Sequence, residues 1–401
     1  MGASDCDGVR LALDPQGRPR LMWYYLSSPL AAQGTWHYAE CNANCTNAGS
    51  WADYAVVDVD PYRGFPGKGR YFALDPQGRP HFIYRDLTGT YYALCDGNCA
   101  SGGQWRAFRL NESLHLYDAS LAFSSSGMAR LAYRTGNYLA YYEYVGDANY
   151  AVDPANSWSG GLFFTLGSEP MYSLRLDAQN RPRLAIYTNG RLSYAWCQSG
   201  CGTVGNWSTY SLGLPSEYGK DVDLAIDAQG RPHLAYNVDG AGSSSVYGLG
   251  YARCTGNCET TNSTWETIIV DDADHLDTVA PIPAKPGCQS SWLHVGLSPS
   301  LGIDAAGNAR IAYNTQHYQG ITCGLHMDVT LVRLAAIDGG GITPPPTRKP
   351  PIVPPTVVPK PTFQLTPVLT GTPPTPTRTQ TPRPSPSGKT HIPMVLAGWR
   401  K

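Results

Sequence analysis

Along most of the chain, apolar and polar positions alternate in short runs that end in Gly, Pro, Asp or Asn, the pattern of half-buried strands joined by tight turns. Six of these runs are copies of one another. The segments LALDPQGRPRLMWYY, FALDPQGRPHFIYRD, LAFSSSGMARLAYRT, LRLDAQNRPRLAIYT, LAIDAQGRPHLAYNV and LGIDAAGNARIAYNT align without gaps, placing Asp14, Asp75, Ser124, Asp177, Asp227 and Asp304 in one column. The column members are 61, 49, 53, 50 and 77 residues apart. Strand-rich units that repeat every roughly 40 to 50 residues have the size of a four-stranded propeller blade, and the longer steps leave room for insertions. The pattern predicts an all-β chain, a six-bladed β-propeller of four-stranded antiparallel blades.

The fifth copy displays the four strands of one unit, named A to D here: DVDLAID, RPHLAYN, YGLGYARC and STWETIIV. Asp227-Ala228-Gln229-Gly230 joins A to B, with Pro15 and Pro76 replacing the Ala in the first two copies. Asp at the head of such a turn accepts hydrogen bonds from backbone N–H groups two residues on, Pro presets φ, and Gly or Asn supplies a positive φ. Ser124 suits the same task. The Asp column therefore reads as turn chemistry, not as a catalytic or metal-binding set. Strand D opens with Trp51, Trp105, Trp207 and Trp265, with Trp158 close to the same place. A large aromatic once per unit is the filling expected between facing sheets, with sugar stacking as the alternative.

Composition agrees with this reading. The 401 residues are 42% hydrophobic, enough for a sizeable core, and 43 Gly, 33 Pro and 26 Tyr fit tight turns between aromatic-rich strands. Charged residues make up 15% of the chain and the net charge is -1, so no basic field is present to hold nucleic acid or an anionic membrane. No run of about 18 apolar residues occurs, and no membrane span is expected. The opening MGASDC lacks the basic and apolar regions of a signal peptide, so the chain reads as a mature or trimmed form.

Eleven cysteines, mostly in close pairs, point to an oxidising compartment, extracellular or at the cell surface. Four copies carry Cys-x-x-x-Cys at the end of strand C: Cys41/Cys45, Cys95/Cys99, Cys197/Cys201 and Cys254/Cys258. The linkers in CDGNC, CTGNC and CQSGC are short and rich in turn formers, which lets two Cα atoms approach to disulfide distance. Local disulfides are expected. Closing so small a loop removes little chain entropy, about 2 kcal/mol each. Zinc is the competing reading, but a four-thiolate site would need pairs from separate blades to meet. Cys288 and Cys323 are expected to bridge the sixth blade's insertion to its sheet, with Cys6 left over or competing for Cys323.

Three segments follow: a propeller over residues 1–340, a disordered Pro/Thr-rich stalk over 341–388 and a short apolar and basic tail over 389–401. The stalk composition favours extended polyproline II at about 3.1 Å per residue, a spacer on the order of 100 Å. Stalk and tail together resemble those of exported bacterial repeat proteins, although no LPxTG-type sequence is present.

In four antiparallel strands, the A–B and C–D turns share one face and the B–C and D–A loops share the other. The repeated turns and cysteines take the first face. The second is where the copies differ, and a ligand site is expected there. Its candidates are Tyr62, Arg63, Arg85, Asp86, His115, Tyr117, Arg134, Tyr172, Tyr218, Asp239 and His275. Glu112, Asp118, Glu169, Glu217, Lys220, Asp271, Asp272, Asp274 and His317 lie near them in the pattern. Tyr rings beside carboxylates and Arg suit sugars, whose C–H faces stack while their hydroxyls take charged partners. The run Asp271-Asp272-Ala273-Asp274-His275 offers oxygens for calcium but lacks EF-hand spacing, so no cofactor is required.

The Asp-x-x-Gly hairpins over about residues 9–338 resemble those of sialidase-like and NHL-repeat propellers. The sialidase Asp-box Ser-x-Asp-x-Gly-x-x-Trp is absent, since Arg-Pro or a similar pair follows the Gly here. A sialidase resemblance would imply an arginine triad, a Tyr/Glu nucleophile pair and an acid Asp. Arg63, Arg85 and Arg134 with Glu112 or Glu217 are the residues that would take such roles, and their spacing selects none of them. The expected function is non-catalytic binding of a glycan or cell-surface polymer by a monomeric propeller, with a glycoside hydrolase or lyase and a surface-layer component as alternatives.

Overall fold

In the computed structural model, which describes residues 5–26, 33–59, 70–102, 104–110, 118–151, 154–167, 170–215, 218–238, 247–273, 291–319 and 326–338, each aligned copy forms its own antiparallel sheet. Blade 1 comprises β1 (Asp5–Leu13), β2 (Pro19–Leu26), β3 (Gly34–Cys41) and β4 (Trp51–Val59). Blade 2 comprises β5 (Phe72–Leu74), β6 (Pro80–Arg85), β7 (Thr90–Cys95) and β8 (Trp105–Arg109), and blade 3 β9 (Ala119–Phe123), β10 (Ala129–Thr135), β11 (Tyr138–Tyr144) and β12 (Trp158–Thr165). Blade 4 is built from β13 (Met171–Leu176), β14 (Pro182–Thr188), β15 (Arg191–Cys197) and β16 (Trp207–Ser211). Blade 5 is built from β17 (Tyr218–Ile226), β18 (Pro232–Val238), β19 (Gly248–Gly256) and β20 (Thr264–Asp272). Blade 6 shows three strands among the described residues, β21 (Ser291–Ile303), β22 (Ala309–Gln319) and β23 (His326–Ile337). Strand order within every sheet follows the chain, A to D. The molecule is a six-bladed β-propeller. The chain divides between Pro344 and Pro345, and the predicted stalk and tail lie outside the described residues.

The per-blade tryptophan is a blade-to-blade contact. A strand-C tyrosine of one blade meets the strand-D tryptophan of the next, edge to face: Tyr38 with Trp105, Tyr92 with Trp158, Tyr141 with Trp207 and Tyr194 with Trp265, at ring separations of 5.5, 5.7, 5.2 and 5.6 Å. Trp158 thus fills the same interstice as the others despite its offset in the sequence. Such pairs contribute about 0.5–1.5 kcal/mol each beyond the area they bury.

Closure of the ring is written in the inner strands. Leu121 N of blade 3 donates to Arg70 O just before β5, Leu174 N of blade 4 donates to Ser120 Oγ of blade 3, and Ser173 Oγ donates to Asp223 Oδ1 of blade 5 at 2.7 Å. Leu301 N of blade 6 donates to Asp223 Oδ2 at 2.8 Å. Arg70, entering blade 2, then reaches across the hub and donates from Nε to Asp223 Oδ1 at 2.9 Å. Facing sheets sit about 10 Å apart, so an open stack would hold blades 2 and 5 about 30 Å apart. Only a ring lets this pair touch.

All four predicted local disulfides are formed: Cys41–Cys45, Cys95–Cys99, Cys197–Cys201 and Cys254–Cys258, with Cα–Cα distances of 5.7, 5.8, 5.7 and 5.8 Å. As expected from the sequence, each bridge closes the C–D turn, with the first cysteine of the pair in strand C. Cys41, Cys95 and Cys197 end β3, β7 and β15, and Cys254 lies within β19, whereas Cys45, Cys99, Cys201 and Cys258 stand beyond the strand in the C–D turn. The chain has to leave the strand and curl back for a bridge across three residues to close. The residue before the second cysteine has positive φ in each: Asn44 at 55°, Asn98 at 52°, Gly200 at 62° and Asn257 at 53°. Asn and Gly are the residues that accept this backbone. The turn so formed also receives strand D, since Trp51, Trp105 and Trp207 donate from Nε1 to the carbonyls of Cys45, Cys99 and Cys201 at 3.0, 3.0 and 2.8 Å. Cys288 and Cys323 lie outside the described residues, and only the backbone of Cys6 is described.

Candidate functional site

The Asp column is built as the turn chemistry requires. Asp227 Oδ1 accepts the N–H groups of Gln229 and Arg231 at 3.0 and 2.8 Å, and Oδ2 accepts Arg231 Nε at 2.7 Å. Asp14, Asp75 and Asp177 repeat this arrangement, Asp304 substitutes Asn308 for the Arg, and Ser124 Oγ accepts Met128 N at 3.0 Å. Two residues further on, a buried side chain completes the carboxylate in four of the blades. In blades 1 and 4 it is an arginine: Arg20 and Arg183 bind Asp14 and Asp177 at 2.8 and 2.7 Å, and donate to Cys41 O and Cys197 O at 2.9 and 2.8 Å. These bonds tie the A–B turn to the disulfide turn, placing both on one face as predicted.

In blades 2 and 5 the completing residue is histidine. His233 Nε2 lies 3.2 Å from Asp227 Oδ2 and Nδ1 lies 2.5 Å from the Tyr251 hydroxyl; His81 repeats this with Asp75 and Tyr92 at 3.4 and 2.6 Å. Because an ionised carboxylate only accepts, Nε2–H donates to the Asp and Nδ1 accepts the phenol proton. Burial holds both imidazoles below their ordinary range, against the pull of the aspartates. Burial also pushes the Tyr251 phenol up to about 12. It would raise the Asp75 and Asp227 carboxyls too, but hydrogen bonds from their His and Arg partners outweigh it and keep them low. With His81 and His233 at 0% and 1% exposure, these Asp-His-Tyr sets are sealed from substrate and serve the fold.

On the face where the copies differ, Arg134, Asp118 and Tyr172 meet at the junction of blades 3 and 4. Arg134 Nε donates to Gly136 O at 3.1 Å, its NH1 lies 4.0 Å from Asp118 Oδ2, and the Tyr172 hydroxyl donates to Asp118 O at 2.5 Å. Tyr172 is buried, so its ring packs between blades instead of presenting a stacking face. Asp86 Oδ1 accepts Thr88 N, Thr88 Oγ1 and Gly89 N at 2.6, 2.7 and 3.0 Å, a turn cap beside half-buried Arg85. Asp271 accepts the Tyr313 hydroxyl of blade 6. Tyr218 and His317 are placed as backbone only, in β17 and β22. Tyr62, Arg63, His115, Tyr117, Asp239 and His275 lie outside the described residues, as do Glu112, Glu169, Glu217 and Asp274.

Two cavities open on the opposite face, between neighbouring A–B turns. The first, about 230 Å³, lies between blades 1 and 2 and is lined by Gln16, Arg18, Gln77, Arg79 and, from the disulfide loop of blade 2, Asn98. The second, about 460 Å³, lies between blades 4 and 5 and is lined by Gln179, Arg181, Gln229, Arg231 and Asn257. Their walls are polar: each column-turn guanidinium is held by a column aspartate, and the further carboxylates Glu40 and Asp96 line the first groove and Glu259 the second. The carboxamides of Gln77, Asn98, Gln229 and Asn257 are exposed and make no hydrogen bond to any described residue, that of Gln77 extending toward the blade 3 turn at Gly127. Carboxamides offer paired donors and acceptors at fixed spacing, suited to the vicinal hydroxyls of sugars.

Neither the hub nor these grooves figured among the candidates from sequence. A signal existed for both. Within apolar strand A, the residue four before the column is Arg10, Tyr71, Ser120, Ser173, Asp223 or Ser300, polar or capable of hydrogen bonding in each copy. The groove Gln and Arg residues sit two and four places after the column, and Asn98 and Asn257 immediately precede the second cysteine of their pairs.

No family model matches the chain, and no curated protein matches it. Among solved structures, a protein of unknown function from Dyadobacter fermentans aligns over 84% of this chain and 96% of its own, at 9% identity and a TM-score of 0.47. The NanB sialidase of Streptococcus pneumoniae aligns over 84% of this chain but 56% of its own, at 11% identity and 0.42. A xylan β-1,4-xylosidase from Bacillus halodurans covers 68% and 53%, at 13% identity and 0.33. Likeness at this level carries no chemistry across to this chain.

Proposed function

We propose that this chain is a non-catalytic binding module for a carbohydrate or other surface polymer, working as a monomer outside the reducing cytosol. The observation that carries the reading is the groove between blades 1 and 2, where exposed carboxamides stand beside guanidiniums whose charge is already balanced. Such walls suit a ligand that is polar and uncharged more than one that is apolar or strongly anionic. Four disulfides stiffen the loops that wall these surfaces and fit an oxidising compartment.

The test is a glycan array probed with the full chain and with the Gln77→Ala/Asn98→Gly variant. Glycan signals that weaken in the variant are the expected result. Turnover of fluorogenic glycosides, abolished by a single carboxylate substitution, would overturn the reading in favour of an enzyme. Silence in both assays with self-assembly on microscopy would favour a surface-layer component.

A further inference from the structure

The six blades are not six equal copies. Blades 1, 2, 4 and 5 carry disulfide loops and blades 3 and 6 carry none of the four described bridges. The residue six places after each column member reads Arg20, His81, Arg130 and then Arg183, His233, Arg310. A 3-10 turn precedes strand D in blades 1 and 4, at Ala48–Ser50 and Val204–Asn206. The order Arg, His, Arg runs through once and starts again, and the four described bridges fall in the first two blades of each run. In these features blades 1 to 3 correspond to blades 4 to 6.

The grooves obey the same rule. Five wall positions agree in residue type, Gln16, Arg18, Gln77, Arg79 and Asn98 in the first with Gln179, Arg181, Gln229, Arg231 and Asn257 in the second, while Tyr38, Glu40 and Asp96 line the first alone and Glu259 and Thr260 the second. Asn98 and Asn257 even share a left-handed backbone, at φ 52° and 53°. The junctions on either side of blade 3 are filled. Arg79 donates to Ala148 O at 2.7 Å between blades 2 and 3, and Asn180 clamps Ser125 between blades 3 and 4, accepting from its N–H at 2.6 Å and donating to its Oγ at 3.0 Å. On a six-blade ring the junctions 1/2 and 4/5 are diametrically opposed.

We infer that the chain holds two equivalent sites for a neutral polyhydroxylated chain, on opposite sides of the propeller axis, and so bridges two stretches of a repeating glycan. The inference rests on the glycan reading above and adds the site, its duplication and the neutrality of its ligand. Linking two sites on one rigid body makes the second capture intramolecular, so a long polymer is held far more tightly than a short oligomer of the same sugar.

The test uses the full chain with cellohexaose, maltohexaose, xylohexaose and chitohexaose, counting bound oligomers by native mass spectrometry, and with the matching soluble polysaccharides followed by turbidity. Two variants remove one groove each, Gln77→Ala/Asn98→Gly and Gln229→Ala/Asn257→Gly. Glycine is chosen because it accepts the positive φ without strain. The expected result is two oligomers on the wild type, one on either variant, none on the combined variant, and loss of polymer cross-linking in each single-groove variant. A single oligomer on the wild type, or only one variant with an effect, overturns the duplication while leaving glycan binding intact. Two oligomers that survive all four substitutions overturn the groove assignment, and no binding of any oligomer overturns this inference and the glycan reading together.

Discussion

Asp227 and Asp223 stand four residues apart, one in the turn after β17 and one within it, and both are buried. Asp227 takes its hydrogen bonds from residues at most six positions away. Asp223 accepts one from the neighbouring Leu224 N–H and takes the rest from Arg70, Ser173, Arg175 and Leu301, between 48 and 153 residues distant. The first kind of carboxylate closes a hairpin and recurs in almost every blade. The second closes the ring, and at the hub position four before the column a carboxylate stands in blade 5 alone. A repeat protein can therefore copy its local chemistry freely, while the contacts that make the copies one object must break the repeat.

The comparison is broken most severely by Asp223→Asn, which leaves Arg70 and Arg175 without their shared anion. Removing one partner of a buried ion pair costs about 3–5 kcal/mol, read as a lower guanidinium midpoint. A loss no larger than that of a turn variant would mean the hub does not hold the ring. Asp227→Asn should cost about 1–3 kcal/mol, and hydrogen exchange should place the loosening in blade 5 alone. Next comes the double change Cys95→Ser/Cys99→Ser, expected to lower stability by about 2 kcal/mol with the ring intact by circular dichroism.

The gentlest probe is pH. His81 and His233 are held below the ordinary imidazole value of 6.5, so below that pH the unfolded chain binds more protons than the folded one. Stability is therefore full above about pH 6.5 and declines as pH falls, by at most about 1.4 kcal/mol per pH unit for each imidazole. The depressed carboxyls of Asp75 and Asp227 add a further loss only in stronger acid, below their ordinary value of 3.8. His81→Gln with His233→Gln should flatten the melting-temperature slope between about pH 7 and 5; an unchanged slope would assign it to other groups.

What could be read in advance shares one property: its partners are close in the chain. Asp14 and its equivalents, the four short disulfides and the Trp of strand D follow from turn stereochemistry, loop length and the two-residue period of a strand. The candidate site was less legible. Tyr172 looks like an exposed loop aromatic, yet blade 3 covers it and Asp118 takes its hydroxyl. Asp86 looks available and is spent on its own turn. Gln77 and Asn98 look like turn filling, and become a groove wall only when the blade 1 turn stands beside them.

By itself the amino-acid sequence determined the blade, the number of copies and which turns share a face, because steric limits on φ and short-range hydrogen bonds act within a few residues. Only the tertiary structure decided that Arg70 would find Asp223 and that grooves would open between blades 1 and 2 and between blades 4 and 5 while the junctions beside blade 3 filled. Those outcomes depend on distances between blades, and such distances exist only once the sheets have closed around a common axis.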